Sequence, residues 1–234
     1  MIDHETETRK RPDNTRPLTY VLFKKYGVKQ AISLIRQDVL FDFKHGVDTF
    51  RPVSNKSLFN PEHWAEFNRY VPTTFALMDS ILMHMSQWID FRQCDFLDYG
   101  SGKGKALIAA ARYPFNSLTG VEYSARLHNT ATINLQKLGL TERTQLINTD
   151  AAAYFPKPSQ RLIYIFNSFT GPTLRRCLQN VHDSSIAQQR FIACANPTES
   201  HVYEQFFDKI DEQVFEPGSC EVNFYATKIY NRGL

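Results

Sequence analysis

At 234 residues, with 42% hydrophobic residues, 18 Phe and 11 Tyr, the chain can bury a sizeable core, which excludes a disordered polypeptide. A net charge of +3 is too mild to signal nucleic-acid binding, and no apolar run nears the ~18 residues of a membrane span. Cys94, Cys177, Cys194 and Cys220 lie far apart, read as reduced packed thiols, and with no signal-type N-terminus they predict a cytoplasmic protein.

Residues 1–17 are polar, broken by Pro12 and Pro17, and read as a flexible tail. Residues 18–90 form a predicted N-terminal helical extension, a candidate lid over a cleft. Within it, apolar spacing from Leu18 to about Leu40 suggests one or two helices interrupted at Gly27. Phe41 to Thr49 lacks periodicity and reads as a loop packed by Phe41 and Phe43. A short helix is expected over Glu62 to Asn68, and a longer one over Phe75 to Trp88, with Thr73 or Thr74 as its cap.

Residues 91–234 carry the main domain. Its first strand runs into Asp98-Tyr99-Gly100-Ser101-Gly102-Lys103-Gly104, followed by an alanine-rich helical segment. Glycines at alternate positions clear side chains from a loop that a ligand must approach closely, and a helix opening near Gly104 turns its positive end toward that ligand. Dinucleotides and S-adenosylmethionine both use strand–glycine loop–helix units. The spacing here is Gly-x-Gly-x-Gly with Asp98 two residues ahead, whereas the dinucleotide fingerprint is Gly-x-Gly-x-x-Gly.

Strands then alternate with helices: Ser117 to Glu122, a helix from Ser124 stopped by Gly139, Thr144 to Asn148, Leu162 to Phe166, a helix over Pro172 to Val181, and Arg190 to Ala195. A helix is expected over Glu199 to Lys209, then an antiparallel pair, Asp211 to Phe215 and Glu221 to Ile229, around Pro217-Gly218. The pattern predicts an α/β Rossmann-like, doubly wound, mostly parallel seven-stranded sheet ending in an antiparallel hairpin.

Glu122, 18 positions after Gly104 at a strand end, can accept from both hydroxyls of a ribose, and is expected to face solvent. Asp150 ends the next strand, where it suits an adenine amino group or caps the turn Ala151 to Tyr154; Ala151 is small enough to lie beside a ring. Asn167 leaves the fourth strand, where it either caps a turn or orients an attacking nucleophile, and Phe169 either packs in the core or walls the site. The seven histidines form no ligand pattern, so no metal is expected.

Residues 70–230 resemble a bacterial class I S-adenosylmethionine-dependent methyltransferase. The likeness rests on Asp98 to Gly104, on Gly120-Val121-Glu122-Tyr123-Ser124, on Phe166-Asn167-Ser168-Phe169 and on Asn196-Pro197. Thr73-Thr74-Phe75, the glycine loop and the fourth-strand motif are similar, more distantly, to the histone-lysine methyltransferases of this fold. The resemblance implies S-adenosyl-L-methionine as cofactor, bound by Asp98, Gly100, Ser101, Gly102, Gly104, Glu122, Tyr123, Asp150, Ala151 and Asn167. It implies Asn167, Phe169 and Tyr70 around the reacting methyl group, and a nitrogen or oxygen acceptor on a protein or small molecule. Ser168 departs from the proline that many relatives carry after the asparagine, which leads away from an exocyclic-amine acceptor. An NAD-dependent oxidoreductase and a non-catalytic S-adenosylmethionine-binding protein are the alternatives.

Overall fold

The computed structural model describes residues 36–51, 53, 71–185, 188–216 and 220–228. Among them seven strands form one sheet: β1 (Asp95–Tyr99), β2 (Leu118–Glu122), β3 (Thr144–Asn148), β4 (Gln160–Ile165), β5 (Phe191–Ala195), β6 (Phe207–Phe215) and β7 (Cys220–Thr227). The helices are α1 over residues 36–45, α2 (Phe75–Met85), α3 (Lys105–Ala110), α4 (Ala125–Lys137), α5 (Gly171–Asp183) and α6 (Ser200–Tyr203). No described helix is long and apolar enough to cross a membrane.

The strand order is β3-β2-β1-β4-β5-β7-β6. Strands β1 to β5 run parallel, and β7 pairs antiparallel with both β5 and β6. This is the Rossmann-like seven-stranded sheet with a C-terminal antiparallel hairpin that the sequence predicts. Because β1 lies between β2 and β4, the winding reverses there, which opens a crevice at the strand C-termini.

Alternation along β1 builds two cores. Phe96 joins a layer with Phe75, Met78, Ile81 and Leu107, whereas Leu97 and Tyr99 join Ile163, Leu178 and Tyr225 on the other face. α2 buries Met78, Ile81, Leu82 and Met85, each contributing about 1.5–3 kcal/mol. This helix from the N-terminal extension therefore shares the core of the sheet. Thr74 caps it by accepting the Leu77 amide at 3.1 Å.

Three local expectations are corrected. Residues 41–45 belong to α1 rather than a loop, and only Phe41 packs, against Phe75 at 4.5 Å between ring centroids. Phe43 is 87% exposed, since residues two apart on a helix lie on different faces. The helix expected over Glu199 to Lys209 is reduced to α6, and β6 begins at Phe207 instead of Asp211. The long edge of β7 draws Phe207 into register with Thr227, and that pairing overrides the helical spacing. The short helix expected over Glu62 to Asn68 lies outside the described residues.

Candidate functional site

The loop after β1 is held by backbone geometry. Gly100, Gly102 and Gly104 all take positive φ, 77°, 55° and 83°, where other residues are strained. A Cβ on Gly100 would in addition lie 2.3 Å from Ser168 Oγ. The amides of Gly100 and Ser101 donate to Val121 O at 2.8 and 3.0 Å, which ties the loop to the end of β2. Gly104 occupies the cap position of α3, and its amide donates to Ser101 O at 2.8 Å.

Glu122 completes this attachment. Its Oε2 accepts the Gly102 amide and its Oε1 the Ser124 amide, both at 2.8 Å. The side chain is buried, not solvent-facing as the sequence suggested, because the loop folds back over the strand end. Burial pushes its carboxyl above the ordinary range, and the amides of Ser124 and Gly102 oppose that rise. Ser124 stands at the cap of α4 but makes no side-chain capping bond; its own backbone amide is satisfied by Glu122.

Asp98 is fully within the cleft wall, and burial followed by the nearby charge of Glu122 holds its carboxyl well above the ordinary value. Among the described residues Ser101 Oγ is buried without a hydrogen bond. Asp98 and Ser101 line the cleft, as do Gly100, Val121, Glu122 and Tyr123. Gly102 and Gly104 shape the loop from behind.

The other walls come from two loops. Thr149 and Ala151 line the cleft after β3, with Leu127 of α4 beside them. Asp150 takes its capping role: Oδ1 accepts the Ala152 amide at 2.8 Å. After β4, Phe166, Ser168 and Phe169 line the cleft. Asn167 between them has φ 41°, and its Oδ1 accepts the Thr198 hydroxyl at 3.0 Å. Phe169 is buried and meets Tyr99 edge-on at 6.4 Å. Val71, Pro72 and Thr73 close the remaining side, whereas Tyr70 lies outside the described residues.

Sequence reasoning missed a latch made by residues 36–51. Lys103 and Lys105 flank Gly104, and both are buried. Lys103 Nζ donates to Asp48 Oδ1 at 2.8 Å and Arg51 O at 2.9 Å. Lys105 Nζ lies 2.7 Å from Asp38 Oδ2. Asn134 of α4 grips the Asp48 backbone on both sides, accepting its amide and donating to its carbonyl, each at 2.9 Å. Asp42 accepts the amides of Thr49 and Phe50 and the Thr49 hydroxyl, which folds the turn. The available signal was charge: three aspartates upstream match two lysines set among glycines.

No family model and no curated protein sequence matches the chain. Solved structures do match its shape. The mitomycin 7-O-methyltransferase MmcR aligns at 14% identity and TM-score 0.51 over 60% of this chain, which spans only 51% of that protein. An RNA methyltransferase from Salinibacter ruber, solved with S-adenosyl-L-homocysteine, aligns at 16% identity and TM-score 0.54, over 69% of this chain and 97% of the other. A SAM-dependent methyltransferase from Aquifex aeolicus aligns at 14% identity and TM-score 0.52, over 72% and 94%. At these identities the likeness is one of architecture: the chain has the fold of the S-adenosylmethionine-dependent methyltransferases.

Proposed function

We propose that the protein is a class I S-adenosylmethionine-dependent methyltransferase acting on a nitrogen or oxygen nucleophile. One observation carries this reading. The cleft at the reversal point of the sheet joins a glycine loop to two buried carboxylates and to a Ser101 hydroxyl that has no partner among the described residues. Unsatisfied buried groups are costly, so they suit a ligand that supplies the missing bonds.

The residues fit the cofactor. Glu122 keeps lone pairs beyond those used by Gly102 and Ser124, and these suit ribose hydroxyls. Ala151 and Leu127 offer an apolar slot for the adenine, with Tyr123 beside it. Asp98 and Ser101 suit the ammonium end of the amino-acid arm. When bound, the cofactor supplies an already activated methyl group on a sulfonium. The chain's share is then positioning and exclusion of water. Phe166 and Phe169 wall the acceptor side; in this reading Asn167, which stands between them in the chain but outside the cleft lining and accepts from Thr198, orients the acceptor, with Tyr70 in the segment leading to Val71.

The segment 36–51, latched beside the loop, is the described part of the lid in this reading. All four cysteines are free and buried, which suits the reducing cytoplasm. Calorimetry tests the proposal: S-adenosylhomocysteine should bind at micromolar levels and NAD should not. Binding of NAD alone would replace the reading with an oxidoreductase. A methyl-transfer screen over protein, small-molecule and nucleic-acid pools then identifies the acceptor.

A further inference from the structure

The loop that follows β4 is fastened at both ends by a second loop, the one that follows β5. At its near end the Thr198 hydroxyl donates to Asn167 Oδ1 at 3.0 Å. At its far end Glu199 Oε2 accepts the Gly171 amide at 2.8 Å. Between these two points stand Ser168 and Phe169, which line the cleft together with Phe166. Neither bond is local, since 31 and 28 positions separate the partners.

The start of α5 explains why the second bond is needed. Thr170 stands at its cap but makes no side-chain capping bond, and Pro172 has no amide hydrogen to donate. Gly171 takes φ 62°, so the chain turns sharply as it enters the helix. A helix start leaves amides without intrahelical acceptors. Glu199 supplies an oxygen from another element, and its negative charge suits the positive end of the helix.

The base from which Glu199 reaches is firm. Asn196 bends the chain at φ 53°, and its amide donates to Glu221 O at 2.7 Å. Beside Glu199, Ser200 Oγ accepts from Nδ2 of the buried Asn223 at 3.1 Å. Glu221 and Asn223 both belong to β7, so the hairpin is joined through this loop to the residues that line the cleft.

We propose that Glu199 is a positioning residue for the wall that faces the reacting methyl group. Thr198 acts on the Asn167 amide, whereas Glu199 acts on the course of the backbone. By holding the far end of the loop it keeps Ser168 and Phe169 in contact with a cationic sulfonium. This rests on the cofactor reading above, in which these residues stand on the acceptor side. Aromatic rings and a hydroxyl oxygen favour a cation over a neutral group there, provided they stay in contact with it.

The test reads that contact with two stable ligands. S-adenosylhomocysteine is neutral where the cofactor carries its sulfonium, whereas sinefungin places a protonated amine where the transferred methyl group stands. Calorimetry on the full chain should show sinefungin binding more tightly by roughly threefold or more, as a cation over aromatic rings implies. Glu199→Ala and Glu199→Leu should bring the two affinities toward parity, with that for S-adenosylhomocysteine unchanged. Hydrogen exchange of the Gly171 amide should quicken at least about tenfold in both, because a bond to a charged acceptor is lost. Glu199→Gln keeps an acceptor oxygen and removes the charge, so it should retain the preference. Circular dichroism verifies the fold of each variant. A preference equal to the parent's in folded Glu199→Ala or Glu199→Leu overturns the proposal. Its loss in Glu199→Gln does so too, by assigning the effect to charge and not to position. The proposal also falls if the natural protein binds S-adenosylhomocysteine and shows no preference. Failure of the natural protein to bind either ligand refutes the cofactor reading itself.

Discussion

The carboxylate of Glu122 takes the Gly102 amide at 2.8 Å, so the residue proposed for a ribose also anchors the glycine loop. The second oxygen holds Ser124 at the same distance. Glu122→Ala would leave two buried amides without an acceptor, at a cost of about 1–3 kcal/mol each. Its melting point should therefore fall well below that of the parent, together with cofactor affinity. Glu122→Gln keeps one acceptor oxygen and should recover much of the stability but not the affinity. Equal melting points for parent and Ala variant would show that the loop does not depend on this carboxylate.

A second prediction concerns pH. Asp98 and Glu122 hold protons more tightly in the fold than in the unfolded chain, where their ordinary values are 3.8 and 4.5. Folding therefore takes up protons between those values and the raised folded ones, and the ligand-free protein loses stability as pH rises through that window. Asp98→Asn should flatten this slope and raise the melting point at neutral pH, by about 2–4 °C for each kcal/mol relieved. Cofactor affinity should fall in the same variant. Thermal melts from about pH 4 to pH 8 measure the slope directly.

Much of this architecture is legible in the sequence because its signals are local. The apolar run at Leu162, the Thr74 cap and the positive-φ stop at Gly139 each depend on neighbours a few residues away. The glycine loop is legible for the same reason. Residues whose roles depend on distant partners were not. Asp48 meets Asn134 across 86 positions, and nothing in the spacing around either residue announces it. The burial of Glu122 follows from the loop closing over β2, a tertiary event. Phe207 looked helical until β7 supplied a partner for its backbone.

The latch makes a third prediction. Asn134 is buried, and its amide group satisfies the Asp48 amide, the Asp48 carbonyl and the Lys103 carbonyl at 2.9, 2.9 and 3.0 Å. Asn134→Ala removes all three bonds and should cost about 2–4 kcal/mol, since three backbone groups lose partners at once. Hydrogen exchange should rise selectively in residues 36–51, with the sheet amides of β1 and β4 still protected. Uniform loss of protection would mean that Asn134 supports the whole domain and not the latch.

The last prediction separates two roles for Asn167, backbone bend and acceptor positioning. At φ 41° the residue sits in the left-handed region, which asparagine tolerates and alanine resists by about 1–2 kcal/mol. Its side chain is oriented by Thr198, whose hydroxyl donates to Oδ1 at 3.0 Å. Asn167→Ala alone is therefore ambiguous, because it adds strain while removing the amide. Asn167→Gly removes the amide and keeps the bend. If Asn167 positions the acceptor, both variants should lower turnover on the identified acceptor by roughly 10²-fold, the lower range for a positioned polar group. The glycine variant should do so without loss of thermal stability and with cofactor affinity close to the parent's. Thr198→Val should then reduce turnover less, since it frees the amide to rotate but leaves it present. Full turnover in the glycine variant would assign Asn167 to the bend after β4 and move acceptor positioning to other residues around the cleft.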